Sequence, residues 1–335
     1  MPSTEHLDQN APARKLQRAQ APNLDLAPLF ADDAVARNEL EGKIRDACLD
    51  SGFFYAHNSC VDQPAINNAL KASQAFFRIA DDHLVKQAVH NRLSSGMKGW
   101  GPMFGEPAYQ PGTVAHVESF DLGQQLDNER YHELGIQPNV WPDIPGFRDA
   151  VLAYYEAVTT MGRALSEVFS GILGMRRDFI KGHSGERAPR TMRLLHYPAN
   201  KAPADDRNVG ISAHTDFECF TIIHQTAGGL ELTNVNGEWY QAPSDIGSFT
   251  ILLGDMLERF SNGYLKATGH RVVNTPWQRF SMVLFFALDG DYEVAPLPQF
   301  TGPDTPARYM PVTQDDHIRI ELEHAAANKP KPYGA

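Results

Sequence analysis

The stretch GISAHTDFECFTIIHQ, residues 210–225, reads as a β-strand into which an imidazole and a carboxylate have been set. Ile, Thr and Phe supply strand propensity. Side chains on a strand alternate faces, so His214 and Asp216 are expected on one face with Thr215 on the other, both able to reach one ion. Taken alone, His-x-Asp fits the solvated face of an edge strand equally well, and the rest of the chain has to decide between the two.

Further on, ATGHRVVN (267–274) places His270 just before an apolar pair at the start of another expected strand. Two histidines and one carboxylate form a facial triad that leaves positions of an octahedral Fe(II) open, which oxygen chemistry needs. A zinc hydrolase can use the same donors with a water in the fourth position. It would want a separate acid-base group, and the near candidate, Glu218, reads as a rim or turn residue. RFS (279–281) sets Arg279 and Ser281 two apart on one strand face. An arginine among apolar neighbours wants a carboxylate to grip in bidentate fashion, with the serine as an added donor. That carboxylate belongs either to the protein, Asp255 or Glu258, or to a dicarboxylate ligand, to which Tyr197 in LLHYP (194–198) would also donate.

The bulk composition narrows the partners. Acidic residues outnumber basic ones, 41 to 30, for a net charge of -11 with no basic run, which argues against nucleic acid. A small-molecule substrate fits better. Three cysteines, Cys48, Cys60 and Cys219, cannot all pair, and no Cys-x-x-Cys occurs. MPSTEHLDQNAPARKLQRAQAPN (1–23) is polar where a secretory leader needs an apolar run, and no stretch of roughly 20 apolar residues offers a membrane span. The expectation is a soluble cytoplasmic protein with no membrane or nucleic-acid partner, its oligomeric state open between monomer and weak homodimer.

Working outward from the metal stretch, residues 1–22 read as a flexible lead. NLDLAPLF (23–30) and GFFYAH (52–57) read as strands, 34–50 as an amphipathic helix, and Asp62 as the cap of a helix carrying Ile66, Leu70 and Phe76–Phe77. The Gly- and Pro-rich 94–112 forms no long element, and its Trp100, Met103, Phe104 and Tyr109 favour an ordered loop over a site. VESFDL (117–122) is again strand-like, and 146–173 is the longest helix. After 189 come about eight short strand-like runs, with NG at 236–237 marking a hairpin. His224 and Phe220 read as structural, Phe217 as core packing, and HIRIELEH (317–324) as a short helix. The expected domains are a lead (1–22), an N-terminal region (23–125), a catalytic core (126–300) and a tail (301–335), with 23–330 one compact unit. The texture predicts an α+β protein with a mainly β core, a sandwich or barrel propped by helices on one side.

HTD at 214–216, His270 and RFS at 279–281 resemble the signature of the iron(II)/2-oxoglutarate-dependent dioxygenases, in the branch that includes isopenicillin N synthase and the plant-type hydroxylases and desaturases. PNLDLAPLF, SGFFYAHN, KGWGP, HVESFDL, GGLEL, GEWYQAP and GDMLERFSNG resemble further parts of that branch, so most of 22–295 is covered. The resemblance implies a double-stranded β-helix, a cupin-like jelly roll, with supporting N-terminal and central helices. It implies that His214, Asp216 and His270 hold Fe(II), that Arg279 and Ser281 bind the 5-carboxylate of 2-oxoglutarate, and that Tyr197 assists. With O2, such an enzyme hydroxylates or desaturates an unactivated C–H of a small molecule and releases succinate and CO2. Many members carry Asn two positions before the Tyr of their YP, where this chain has Leu195. Isopenicillin N synthase has the same Arg and Ser but uses no 2-oxoglutarate, so an Fe(II) oxidase or cyclase is the alternative, and a metal-free binding module is the non-enzymatic one.

Overall fold

The computed structural model describes residues 7–15, 21–94, 96–200, 207–243 and 248–328. Of the expected lead, 1–6 and 16–20 lie outside these residues, as does the tail beyond 328.

Two sheets carry the architecture. The larger has eight strands, whose central members in spatial order are Phe249–Leu253, Phe220–Gln225, Arg279–Phe286, Met192–Tyr197 and Glu118–Leu122, all antiparallel. The smaller runs Arg14–Lys15, Trp239–Gln241, Leu230–Thr233, His270–Val272 and Ile211–His214. The period of two sorts the larger sheet's faces. Phe220, Ile222, Met192, Leu194, Met282, Leu284 and Phe286 join the main apolar core, which the helix Phe147–Ile172 also enters. There Phe220 stacks on Phe286, ring centres 4.8 Å apart, with Phe169 of the helix 4.8 Å from Phe220. The opposite face of the same strands, with Ile223, Leu195, Tyr197 and Val283, turns toward the smaller sheet's Ile211, Leu230 and Val272. The functional cavity lies between these two faces.

The expected mainly β jelly roll is corrected here. Neither sheet closes, each ending in two edge strands. Among the described residues helix accounts for 34% against 22% for strand, so the fold is a mixed α+β one. The β-like runs after 189 are many but short, several of only three or four residues. Three of the helices are long: Ala34–Asp50 has 17 residues, Gln63–Phe77 has 15 and Phe147–Ile172 has 26. The first two start where their caps dictate, Asp33 accepting from the amides of Val35 and Ala36, and Asp62 from that of Ala65. A longer helix than expected, Gln314–Ala327, takes up HIRIELEH. No helix among the described residues is long and apolar enough to cross a membrane.

Candidate active site

The run 210–225 is not one strand. The strand Ile211–His214 ends at the histidine, 215–219 turn, and Phe220–Gln225 belongs to the other sheet. Asp216 therefore sits on the crossover between sheets, and the turn brings it beside His214 where strand alternation was expected to. The crossover is pinned from below by GDM: the amides of Gly254, Asp255 and Met256 donate to the carbonyls of Cys219, Asp216 and Glu218. A side chain at Gly254 would land on the carbonyl oxygen of Glu218, so the close approach requires glycine there.

His270 opens its strand directly opposite His214, and the two rings lie 4.1 Å apart. Oδ1 of Asp216 is 3.6 Å from Nε2 of His214 and 3.5 Å from Nε2 of His270. All three residues are buried, and their donor atoms lie within 4.8 Å of one another. Each ligand's other atom is occupied. Nδ1 of His214 meets the carbonyl of Ser212 at 2.8 Å, Nδ1 of His270 that of Thr268 at 3.1 Å, and Oδ2 of Asp216 accepts from the Thr221 hydroxyl. A proton on each Nδ1 leaves both Nε2 lone pairs facing inward. Burial, reinforced by the neighbouring His270, pushes the His214 imidazole well below its usual pKa and so keeps it neutral. Two imidazole nitrogens and one carboxylate on one face are the donor set of a non-haem Fe(II) site, and the residues present fit that ion.

Arg279 lies at the far end of the same cavity, fully buried and paired across strands with Tyr197. Its guanidinium carbon is 4.6 Å from the Tyr197 ring centre, and Nη2 donates to Oε1 of Gln225 at 2.8 Å. Nε and Nη1 have no partner among the described residues. The two acids named from the sequence are engaged elsewhere: Asp255 pairs with His317, and Glu258 with the Tyr309 hydroxyl and the Ala267 amide. Ser281 stands opposite Leu195 and Gln225, donating its hydroxyl to the carbonyl of His224. Leu195, where the family resemblance raised the expectation of an Asn, thus faces the serine directly.

The cavity holds about 440 Å³ and takes in the three donors, Arg279, Ser281 and Tyr197. Of the loop aromatics, only Tyr109 lines it. Trp100 is buried elsewhere against Glu118, and Met103 and Phe104 stand off it. Phe217, read from sequence as core packing, does line it; Phe220 does not. Arg193, Asp121 and Glu106 were missed. Arg193 grips Glu106 through both terminal nitrogens at 2.7 Å and Asp121 through Nε at 3.0 Å. Their signal was present in MRLLHY and ESFDL, where Arg193 shares parity with Leu195 and Tyr197, and Asp121 with Ser119. Ile318 and Leu322, from the helix Gln314–Ala327, close another wall.

The chain is similar to known proteins in sequence and fold. Residues 189–288 match the 2OG-Fe(II) oxygenase superfamily, and 21–144 match the N-terminal region of the non-haem dioxygenases in morphine synthesis. A 2-oxoglutarate-dependent dioxygenase of Aspergillus niger is 30% identical over 311 residues, covering 90% of this chain and 92% of that one. A 2-oxoglutarate-Fe(II) type oxidoreductase of Emericella nidulans is 28% identical over 311 residues, covering 89% and 88%. Among solved structures, a Caulobacter crescentus protein assigned to the 2OG-Fe(II) oxygenase family superimposes with a TM-score of 0.77 at 28% identity, over 91% of this chain and 98% of that one. A Neurospora crassa protein, solved at full length in complex with alpha-KG, shares the fold with a TM-score of 0.78 at 21% identity, over 92% and 96%.

Proposed function

The chain belongs to the 2OG-Fe(II) oxygenase superfamily, and from that premise we propose that His214, Asp216 and His270 are its iron ligands and that Arg279, Ser281 and Tyr197 receive the 5-carboxylate of 2-oxoglutarate. The protein is an Fe(II)- and 2-oxoglutarate-dependent oxygenase of a small molecule. Its C–H chemistry, in this reading, is hydroxylation or desaturation at an unactivated carbon. The resemblance of 22–58 and of the ordered HTD, His, RFS set supports the isopenicillin N synthase-like branch.

The observation that carries the assignment is the pair of buried nitrogens on Arg279 with no partner among the described residues, which calls for an anion that those residues do not supply. Unsatisfied buried donors of this kind cost roughly 1–3 kcal/mol each, which a ligand carboxylate would recover. When bound, Fe(II) with 2-oxoglutarate supplies the oxidising power of O2, succinate and CO2 being the co-products. The chain's own contribution is placement. Tyr197 and Gln225 hold the guanidinium in one orientation, Ser281 offers a hydroxyl beside it, and Thr221 turns one Asp216 oxygen away so that the other faces the ion. Apolar walls from Phe217, Ile318 and Leu322 keep water off the reacting carbon.

Succinate measured against product tests the reading. One succinate per product is expected, and product formed with no succinate would assign the chain to the oxidase or cyclase alternative.

A further inference from the structure

A ligand-bearing strand at the edge of a sheet is held along one side only, yet a metal ligand must be fixed to a fraction of an ångström. Ile211–His214 is such a strand: it ends the five-stranded sheet, paired to His270–Val272 through an interrupted register. Its exposed backbone edge is taken up by remote side chains. The amide of Ala213 donates to Oε1 of Gln9 at 2.6 Å, and its carbonyl accepts from Nε2 of Gln110 at 3.0 Å. The backbone amide of Tyr109 donates to the Ser212 hydroxyl at 3.0 Å. The Tyr109 ring then lies flat on the His214 imidazole, 4.4 Å between centres and 15° between planes. Its hydroxyl donates to Glu106 at 3.2 Å, and Glu106 is gripped by Arg193 of the opposite sheet. Residues 106–110 therefore cross from one sheet to the other over the metal centre.

We infer that Tyr109 is a positioning residue for the metal, its ring fixing the plane of His214 while Gln110 fixes the backbone that carries it. The inference rests on the ligand assignment above. His214 has an in-plane restraint from its Nδ1 contact with Ser212, which still permits the ring to rock about that hydrogen bond. A planar face stacked at 4.4 Å removes that motion and keeps Nε2 aimed at the ion. Glu106 and Arg193 hold the far end of the tyrosine, so the ring is anchored on both sheets.

Co(II), which reports its ligand geometry in visible absorption, provides a reading independent of turnover and of the unidentified substrate. In the full-length protein, Tyr109→Leu is expected to weaken Co(II) binding about 10- to 100-fold, the usual effect of losing a group that orients a ligand, and to alter the absorption. Tyr109→Phe, which keeps the ring and gives up only the hydroxyl's hold on Glu106, is expected to lose clearly less than Tyr109→Leu on both readings. Gln110→Ala should shift both in the same direction as Tyr109→Leu, and decides the matter if that variant does not fold. Parent-like affinity and spectrum in the deciding variant overturn the inference, as does a loss in Tyr109→Phe equal to that in Tyr109→Leu. Asp216→Ala separates the premise: if it binds Co(II) as the parent does, the ligand assignment fails; if it is silent, a parent-like Tyr109→Leu overturns the positioning role alone.

Discussion

Arg279 is the residue whose surroundings say most about function. Burial alone pushes its guanidinium below the ordinary arginine pKa, Tyr197 working against that shift, and only one of its nitrogens meets a described acceptor other than the tyrosine. A residue placed for stability would have been given a carboxylate, as Arg193 was given two. Truncating one side of a buried charged pair costs roughly 2–5 kcal/mol, so Arg279→Ala should raise the 2-oxoglutarate concentration at half-saturation by about 30-fold or more. Arg279→Lys should recover only part of this, since an ammonium cannot form the two parallel bonds of the planar fork. Titrating 2-oxoglutarate against succinate release in the three proteins reads both. An unchanged requirement would move Arg279 to the substrate. These donors were legible from sequence because they recur in an ordered set. Thr221 and Gln225 were not, since a Thr and a Gln in a β-like run carry no mark of what they will face until the register with Asp216 and Ser281 is known.

At the scale of elements, the sheet crossover at 215–219 is the feature that makes the site. The stretch was legible as strand, but its break was not: Thr215 to Cys219 contain no Gly or Pro, and the turn is imposed from outside by the amides of 254–256. The helix Gln314–Ala327 holds the same crossover from the other side. Gln314 donates to the carbonyl of Phe217 at 3.0 Å, and His317 meets Oδ2 of Asp255 at 2.8 Å, on the residue whose amide pins Asp216. His317→Ala would leave the Asp255 carboxylate buried without that partner, a loss of about 1–3 kcal/mol in stability. Urea unfolding of the metal-free protein measures it, and an unchanged midpoint would show that the pair contributes nothing. Residues 8–11 of the lead lie along the smaller sheet, with Arg271 donating to the carbonyls of Asp8, Gln9 and Ala11. No periodicity within 7–15 could have announced that, because the donor lies at the other end of the chain.

Across the whole molecule, the sequence texture led to too much β structure because many short runs were weighed as heavily as a few long helices. What was legible was the division of labour: long helices carrying an apolar stripe, and short alternating strands with chemistry on one face only. The mixed fold follows from it, with Phe147–Ile172 set against the apolar face of the eight-stranded sheet and the cavity left to the other face. In the proposed site the two sheets join three donors and one guanidinium without a described carboxylate around a single Fe(II) and 2-oxoglutarate. Anaerobic addition of 2-oxoglutarate to the Fe(II)-loaded protein tests it most directly, through the visible charge-transfer absorption that appears when the keto acid chelates iron. A saturable band is expected in the parent, none in Asp216→Ala, and a band requiring far more 2-oxoglutarate in Arg279→Ala. A band of parental strength in Asp216→Ala would contradict it.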